Sequence, residues 1–253
     1  MTAPAECFVT HADARYLPLT EILVRGLAHF SSRPVMVFGV NAEVGYDAPN
    51  LIKRTIRCSP AELYSAKFRV ILESGIERGV YLDADNVPNR GVDDLFAACG
   101  DVGGYPLVPR HPQELGSLVE DLKTELGVER QTMPFVQSCC LVFSRRCLPF
   151  LADCERISRD LAGQSGQYSG APVLDEPIVN VLLWQRNADR QLPSCNIPKR
   201  FYPLYLDGTY GSDAGFLSCY GGHPFRFHTF HFCKDPERSR HMLDELIARD
   251  ALG

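Results

Sequence analysis

Before residue 86, three short apolar runs alternate with two helical patterns, and this rhythm confines the chain to a parallel sheet with crossover helices. Cys7-Phe8-Val9-Thr10 reads as a buried strand. Leu19, Ile22, Leu23, Gly26, Leu27 and Phe30 then recur on one helical face. Val35 to Val40 (VMVFGV) is apolar throughout, as a strand covered on both sides must be. Ser59-Pro60-Ala61-Glu62 opens the second helix, with Ser as N-cap, Pro at the first helical position and Glu three residues after the cap. That helix is expected to bury Leu63, Val70 and Ile71, to run to about Arg78 and to stop at Gly79. Val80-Tyr81-Leu82 forms the next strand. Ligands of such sheets bind beyond the carboxyl ends of the strands. Two polar clusters stand there: Thr10-His11-Ala12-Asp13 and Asp83-Ala84-Asp85.

The second half is less regular. Phe135 to Phe143 reads as a buried strand and Glu176 to Trp184 as a short apolar helix. Residues 162–171 (AGQSGQYSGA) have a loop composition, as does Tyr205 to Gly222 with Gly208, Gly211, Gly215, Gly221 and Gly222. Phe225 to Cys233 returns to strand-like residues, and Asp235-Pro236 caps a last helix carrying Met242, Leu243, Leu246 and Ile247. No repeat and no clean linker divides the 253 residues, so a single α/β domain is expected.

Composition narrows the function classes. Lys plus Arg number 26 against 31 Asp plus Glu, a net charge of −5 without basic tracts, which argues against nucleic acid as a partner. No apolar run approaches the ~18 residues of a membrane span. The start, Met1 to Glu6, lacks the basic and apolar stretches of a signal peptide, so a cytoplasmic location is expected. Ten cysteines occur without C-x-x-C or zinc-finger spacing, and they read as reduced, buried small hydrophobes.

The sharpest chemical signal is Val80-Tyr81-Leu82-Asp83-Ala84-Asp85-Asn86. Two carboxylates at i and i+2, leaving a buried strand, can turn toward one hard cation such as Mn²⁺ or Mg²⁺. The plainer alternative makes both aspartates turn formers at the strand exit.

Tyr81-Leu82-Asp83-Ala84-Asp85 resembles the metal-binding D-x-D segment of nucleotide-sugar-dependent glycosyltransferases with the GT-A fold. It is most similar to the retaining type (family 8) that includes glycogenin and bacterial lipopolysaccharide galactosyltransferases. The resemblance implies a Rossmann-like, mixed but mostly parallel sheet with flanking helices. It also implies a nucleotide-binding part at about 1–110 and a sugar and acceptor part at about 111–253. Phe8-Val9-Thr10 and Tyr16 look like that family's first strand and nucleotide-binding loop, which puts Thr10, His11, Asp13, Tyr16 and Ala84 among the nucleotide contacts. Lys67 matches a basic position that contacts the nucleotide in relatives, although a lysine on an amphipathic helix is usually a solvated charge. His231-Phe232-Cys233-Lys234-Asp235 resembles the segment supplying a third metal ligand and a diphosphate-binding lysine. The metal ligands implied are therefore Asp83, Asp85 and His231, with Lys234 on the diphosphate. His228 lies six residues before Lys234 and is the alternative ligand, since an extended strand turns His228 and His231 to opposite sides. Leu174-Asp175-Glu176-Pro177 looks like the segment opening a helix that faces the donor sugar, so Glu176 and Asp175 are catalytic candidates. Both acids could instead only cap the helix. Gln137 falls where relatives line the sugar pocket, and a satisfied buried amide is the alternative there. Arg110 and His111 stand in a proline-rich stretch with no assigned role.

The implied reaction moves a hexose, with UDP-hexose the expected donor, to a glycan or glycolipid hydroxyl with retention. Peripheral contact with a membrane surface is compatible with a glycolipid acceptor. Two other readings stand beside it. A metal-dependent nucleotidyltransferase commonly has a glycine-rich loop after its first strand, whereas Thr10 to Arg15 contains no glycine. A non-catalytic sugar-nucleotide-binding subunit would not need both aspartates together with the C-terminal His and Lys.

Overall fold

The computed structural model describes residues 4–97, 107–109, 116–132, 136–163, 175–188, 204–206, 229–232 and 234–252. The first half follows the expected rhythm: β1 (Glu6–Ala12), α1 (Leu17–Phe30), β2 (Val35–Val40), β3 (Leu51–Ile56), α2 (Ala66–Ser74) and β4 (Arg78–Leu82). Then come β5 (Asn86–Pro88), α3 (Asp94–Ala97), β6 (Leu107–Pro109), α4 (Gly116–Glu125), β7 (Val136–Ser144) and α5 (Leu148–Gly163). The remaining elements are α6 (Asp175–Ala188), β8 (Leu204–Leu206), β9 (Thr229–Phe232) and α7 (Pro236–Asp250).

The main sheet has the order β3-β2-β1-β4-β7-β6. β3, β2, β1 and β4 run parallel, and β7 is antiparallel to both β4 and β6. A small second sheet, β5-β9-β8, ties Asn86–Pro88 to the late strands. The arrangement is the mixed α/β one expected.

Strand alternation divides the core between the two faces of the main sheet. Cys7, Val9, Phe38, Tyr81 and Phe143 belong to a cluster shared with Phe68 and Ile71 of α2, Leu151 of α5 and Ile178 of α6. Phe8, Val37, Val80 and Leu82 join Leu23 and Leu27 of α1 and Phe96 of α3 on the other side. Fully burying one such Leu or Phe side chain is worth about 1.5–3 kcal/mol. The same parity carries His11, Tyr81 and Asp83 toward the α2 side at the end of the sheet.

Two local readings are corrected. The helix after Ser59 begins as a 3₁₀ turn (Pro60–Ser65), with the Glu62 carboxylate accepting from the Ser59 N–H at 2.7 Å. It ends at Ser74, short of Arg78, because Gly75 takes a left-handed φ of 68° and terminates it. Gly79 is no helix stop but lies inside β4. A Cβ there would fall 2.3 Å from Cζ of Phe143, its cross-strand neighbour, so only glycine admits that ring. β3, β5, α3, β6, α4 and α5 were not anticipated, and β8 places Tyr205 and Leu206 in a strand where a loop was expected.

The final helix forms as expected. Asp235 caps α7, accepting from the N–H groups of Glu237 and Arg238 at 3.0 and 3.2 Å. Cys7, Cys58, Cys139, Cys140, Cys147 and Cys154 are all free of disulfides, and all but Cys58 are buried. Among the described residues no helix is long and apolar enough to cross a membrane.

Candidate functional site

The strand order determines where a ligand can sit. From β1 the chain moves outward to β2 and β3, then returns to β4 on the other side of β1. Connections diverge between β1 and β4, and at such a switch point a crevice opens beyond the carboxyl ends of the strands. A cavity of about 340 Å³ lies there. His11 and Ala12 from β1, Val40 from β2, and Asp83, Ala84 and Asp85 beyond β4 line it, together with Asp13, Arg15, Tyr16, Leu63, Lys67, Tyr81, Asp175 and Lys234.

Lys67 is the centre of its buried wall. Its side chain is only 4% exposed, yet Nζ lies 3.1 Å from Oδ1 of Asp83 and 2.5 Å from Oδ2 of Asp175. Nζ also donates to the carbonyl and the hydroxyl oxygens of Ser138, at 2.9 and 3.0 Å. Burial alone would depress the lysine pKa, but the two carboxylates outweigh it and hold the ammonium charged, its pKa raised. The surface-charge alternative for Lys67 is therefore overturned: its four partners are all protein atoms.

Asp175 opens α6 but turns its carboxylate to Lys67 and to the Ser138 hydroxyl, which donates to it. Glu176 accepts from the Ser138 N–H at 3.4 Å. These contacts tie both acids to β7. Of these two acids only Asp175 reaches the cavity wall.

Tyr81 bridges β4 to β1. Its hydroxyl donates to Oδ1 of Asp83 at 2.8 Å and lies 2.9 Å from Nδ1 of His11. Burial pushes the His11 pKa down to about 4 and raises that of Tyr81 far above its ordinary value, with Asp83 adding to the latter. His11 is thus a neutral imidazole at physiological pH.

The outer lip is cationic. Asp13 accepts from the backbone N–H groups of Arg15 and Tyr16 at 2.9 and 3.2 Å, and from Nε of Arg15 at 3.0 Å. Its partial burial works against charge, but these donors hold the carboxyl below the usual range. Lys234 adopts a left-handed φ of 35°, and its Nζ lies 5.9 Å from the ring centre of Tyr16. Arg15 lies 6.0 Å from the same ring. Both distances are within cation–π reach.

Most predicted residues thus converge: His11, Asp13, Tyr16, Lys67, Asp83, Ala84, Asp85, Asp175 and Lys234 all meet at one cavity. Thr10 does not. It is buried and follows the parity of Phe8, on the face opposite His11. Gln137 pairs through its backbone with Val108. His231 pairs through its backbone with Asn86, immediately after Asp85. His228, Arg110 and His111 lie outside the described residues. Among the described residues no three His, Cys, Asp or Glu side chains cluster as a metal site; four carboxylates, of Asp13, Asp83, Asp85 and Asp175, line the cavity. Sequence reading missed Arg15 and Tyr81. The signals were there: opposite charges two residues apart at Asp13 and Arg15, and the shared parity of Tyr81 and Asp83.

No protein-family model matches the chain, and no curated protein matches it. Solved structures do. The galactosyltransferase LgtC, crystallised with donor and acceptor sugar analogues, superimposes with a TM-score of 0.56 at 14% identity, covering 96% of this chain and 95% of LgtC. The apo form of the glycosyltransferase GlyE from Streptococcus pneumoniae TIGR4 matches with a TM-score of 0.50 at 14% identity, over 98% of this chain and 64% of GlyE. A second GlyE structure gives 0.50 at 15% identity, over 96% and 63%. The chain therefore spans nearly all of LgtC and somewhat under two thirds of GlyE. The likeness establishes the fold, which is the GT-A arrangement of these glycosyltransferases.

Proposed function

We propose that the cavity binds a nucleotide-diphosphate sugar with a divalent cation, and that the protein transfers the sugar to a hydroxyl of a glycan or glycolipid. A UDP-hexose is the donor we favour, with Mn²⁺ or Mg²⁺ as the cation and retention at the anomeric carbon. One observation carries the reading. Asp83, Asp85 and Lys234, from stretches about 150 residues apart in sequence, line a single cavity at the switch point of a fold shared with solved glycosyltransferases.

The donor set suits a hard cation: two carboxylates at a strand exit, with no donor on Oδ2 of Asp83 among the described residues. Asp83 and Asp85 would hold it, with His231 as third ligand and His228 as the alternative. When bound, such an ion neutralises charge on the departing diphosphate as a Lewis acid.

This chain's own residues supply the rest. Lys234, at the mouth, adds positive charge where the leaving diphosphate gains negative charge. Tyr16 offers a flat ring beside it for the nucleoside. Asp13 fixes the Arg15 guanidinium at the same rim. As the anomeric carbon gains oxocarbenium character, a nearby carboxylate stabilises it. Asp175, braced by Ser138 and Lys67, is the cavity acid contributed by α6, and Glu176 beside it accepts from the Ser138 amide. The free thiols of the described cysteines accord with a reducing, cytoplasmic setting.

The test is release of nucleoside diphosphate from a panel of nucleotide sugars with Mn²⁺, alongside calorimetric titration with UDP. Turnover of one donor, with UDP binding in Mn²⁺ and much weaker binding in EDTA, is the expected result. Asp85→Asn should remove most of both. Equal UDP affinity with Mn²⁺ and with EDTA would refute the shared cation.

A further inference from the structure

Resting on the cation site just proposed, we infer that Tyr81 is a positioning residue: with Lys67 it occupies Oδ1 of Asp83, so that Oδ2 alone is presented to the cation. Two donors converge on that one oxygen, the Tyr81 hydroxyl at 2.8 Å and the Lys67 ammonium at 3.1 Å. Among the described residues none donates to Oδ2. A carboxylate at a strand exit otherwise has a broad, two-fold torsion about its last bond, and either oxygen could face the cavity. Two donors on one oxygen remove that freedom.

The phenol is itself held. Tyr81 is fully buried in the core of the α2 face, so its ring cannot swing aside without opening that core. Lys67 Nζ lies 5.1 Å from its ring centre. A hydroxyl has a single proton. With that proton on Asp83, its oxygen is left to accept from His11, whose Nδ1 is 2.9 Å away. The line His11–Tyr81–Asp83 runs from β1 to the end of β4 and turns at the cavity wall. The backbone of Asp83 is pinned as well, its N–H donating to the Cys139 carbonyl at 2.9 Å and its carbonyl accepting from the Asn86 N–H at 3.1 Å. The groups that orient a metal ligand typically change metal affinity about 10–100-fold when removed.

Tyr81→Phe deletes one oxygen and keeps the ring. Mn²⁺ binding is read directly, from loss of the free-ion EPR signal on titration in the presence of UDP. Tyr81→Phe should bind Mn²⁺ about tenfold more weakly than wild type. Val80→Ala is the control: it opens a cavity on the opposite face of β4 and should leave Mn²⁺ affinity within about twofold of wild type, because it touches no donor of Asp83. An independent measurement on the wild-type protein is the infrared carboxylate splitting of ¹³C-labelled aspartate, with Asp83→Asn assigning the band. One-oxygen coordination is expected there, and two-oxygen coordination by Asp83 would overturn the inference. So would unchanged Mn²⁺ affinity in Tyr81→Phe, or an equal loss in Val80→Ala, while the proposed cation site would survive both. Absence of any Mn²⁺ binding by wild type would remove the site and this inference together.

Discussion

Replacing Lys67 by Met is the most exacting test of the site's construction. The variant keeps the aliphatic bulk and removes the ammonium from between Asp83 and Asp175. Removing one partner of a buried ion pair costs about 3–5 kcal/mol, because the other charge stays behind unpaired. Here two carboxylates and two Ser138 oxygens lose a donor, so a loss of about 4 kcal/mol near pH 8 is expected. That is a large share of the roughly 5–15 kcal/mol that holds a domain folded. The pH dependence adds a second constraint. The folded pKa of Lys67 is raised, so its stabilisation is fully present below the unfolded value of about 10.4 and fades only as pH climbs through the folded one. Wild-type stability therefore owes nothing pH-dependent to Lys67 between pH 5 and 8. In Lys67→Met, adding Asp175→Asn, which removes one stranded charge, should recover about 2 kcal/mol at pH 8. Urea unfolding followed through Trp184, the chain's one tryptophan and buried in α6, measures all of this. A loss below about 1 kcal/mol, the scale of a surface lysine, would refute the buried-triad account.

Two further outcomes follow from strand register and capping. His231→Ala should raise the Mn²⁺ concentration for half-maximal activity far more than His228→Ala, since the β5–β9 pairing sets the His231 backbone beside Asn86 and so next to Asp85. Greater damage from His228→Ala would reverse that ligand assignment. Asp235→Ala should lose about 1 kcal/mol by uncapping α7, a fall in melting temperature of about 2–4 °C by calorimetry. An unchanged melting temperature would show that the cap contributes nothing.

The parallel half of the fold was open to sequence reading because burial on both faces forces uninterrupted apolar runs, as in Val35–Val40. β3 escaped because it is an edge strand. Lys53, Arg54 and Thr55 face solvent, so its sequence carries neither an apolar run nor a clean alternation. α5 had a legible face in Phe150, Leu151, Cys154, Ile157 and Leu161, but a cysteine within it blurred the period. The direction of β7 was beyond any pattern argument, since parallel and antiparallel strands bury the same residues. At the site, the D-x-D segment was legible as chemistry, whereas Asp175 and Lys234 came from the family resemblance. The role of Lys67 was not. Solvated and buried lysines on an amphipathic helix look alike until the helix is docked, and only then do Asp83, Asp175 and Ser138 close around it.

The hidden thiols give this molecule a built-in clock. Burial raises the pKa of Cys7 to about 12 and those of Cys139 and Cys154 well above the ordinary range, so none offers a thiolate while its surroundings stay closed. Alkylation of these positions therefore counts openings of the native structure rather than surface encounters. Cys139 sits on β7 at the cavity end, its carbonyl accepting from the Asp83 amide, while Cys154 lies within α5, in the core cluster shared with α2 and α6. Their labelling rates would time the opening of the cavity wall at β7 and of the helical layer at α5, with the protein's own side chains as the probes.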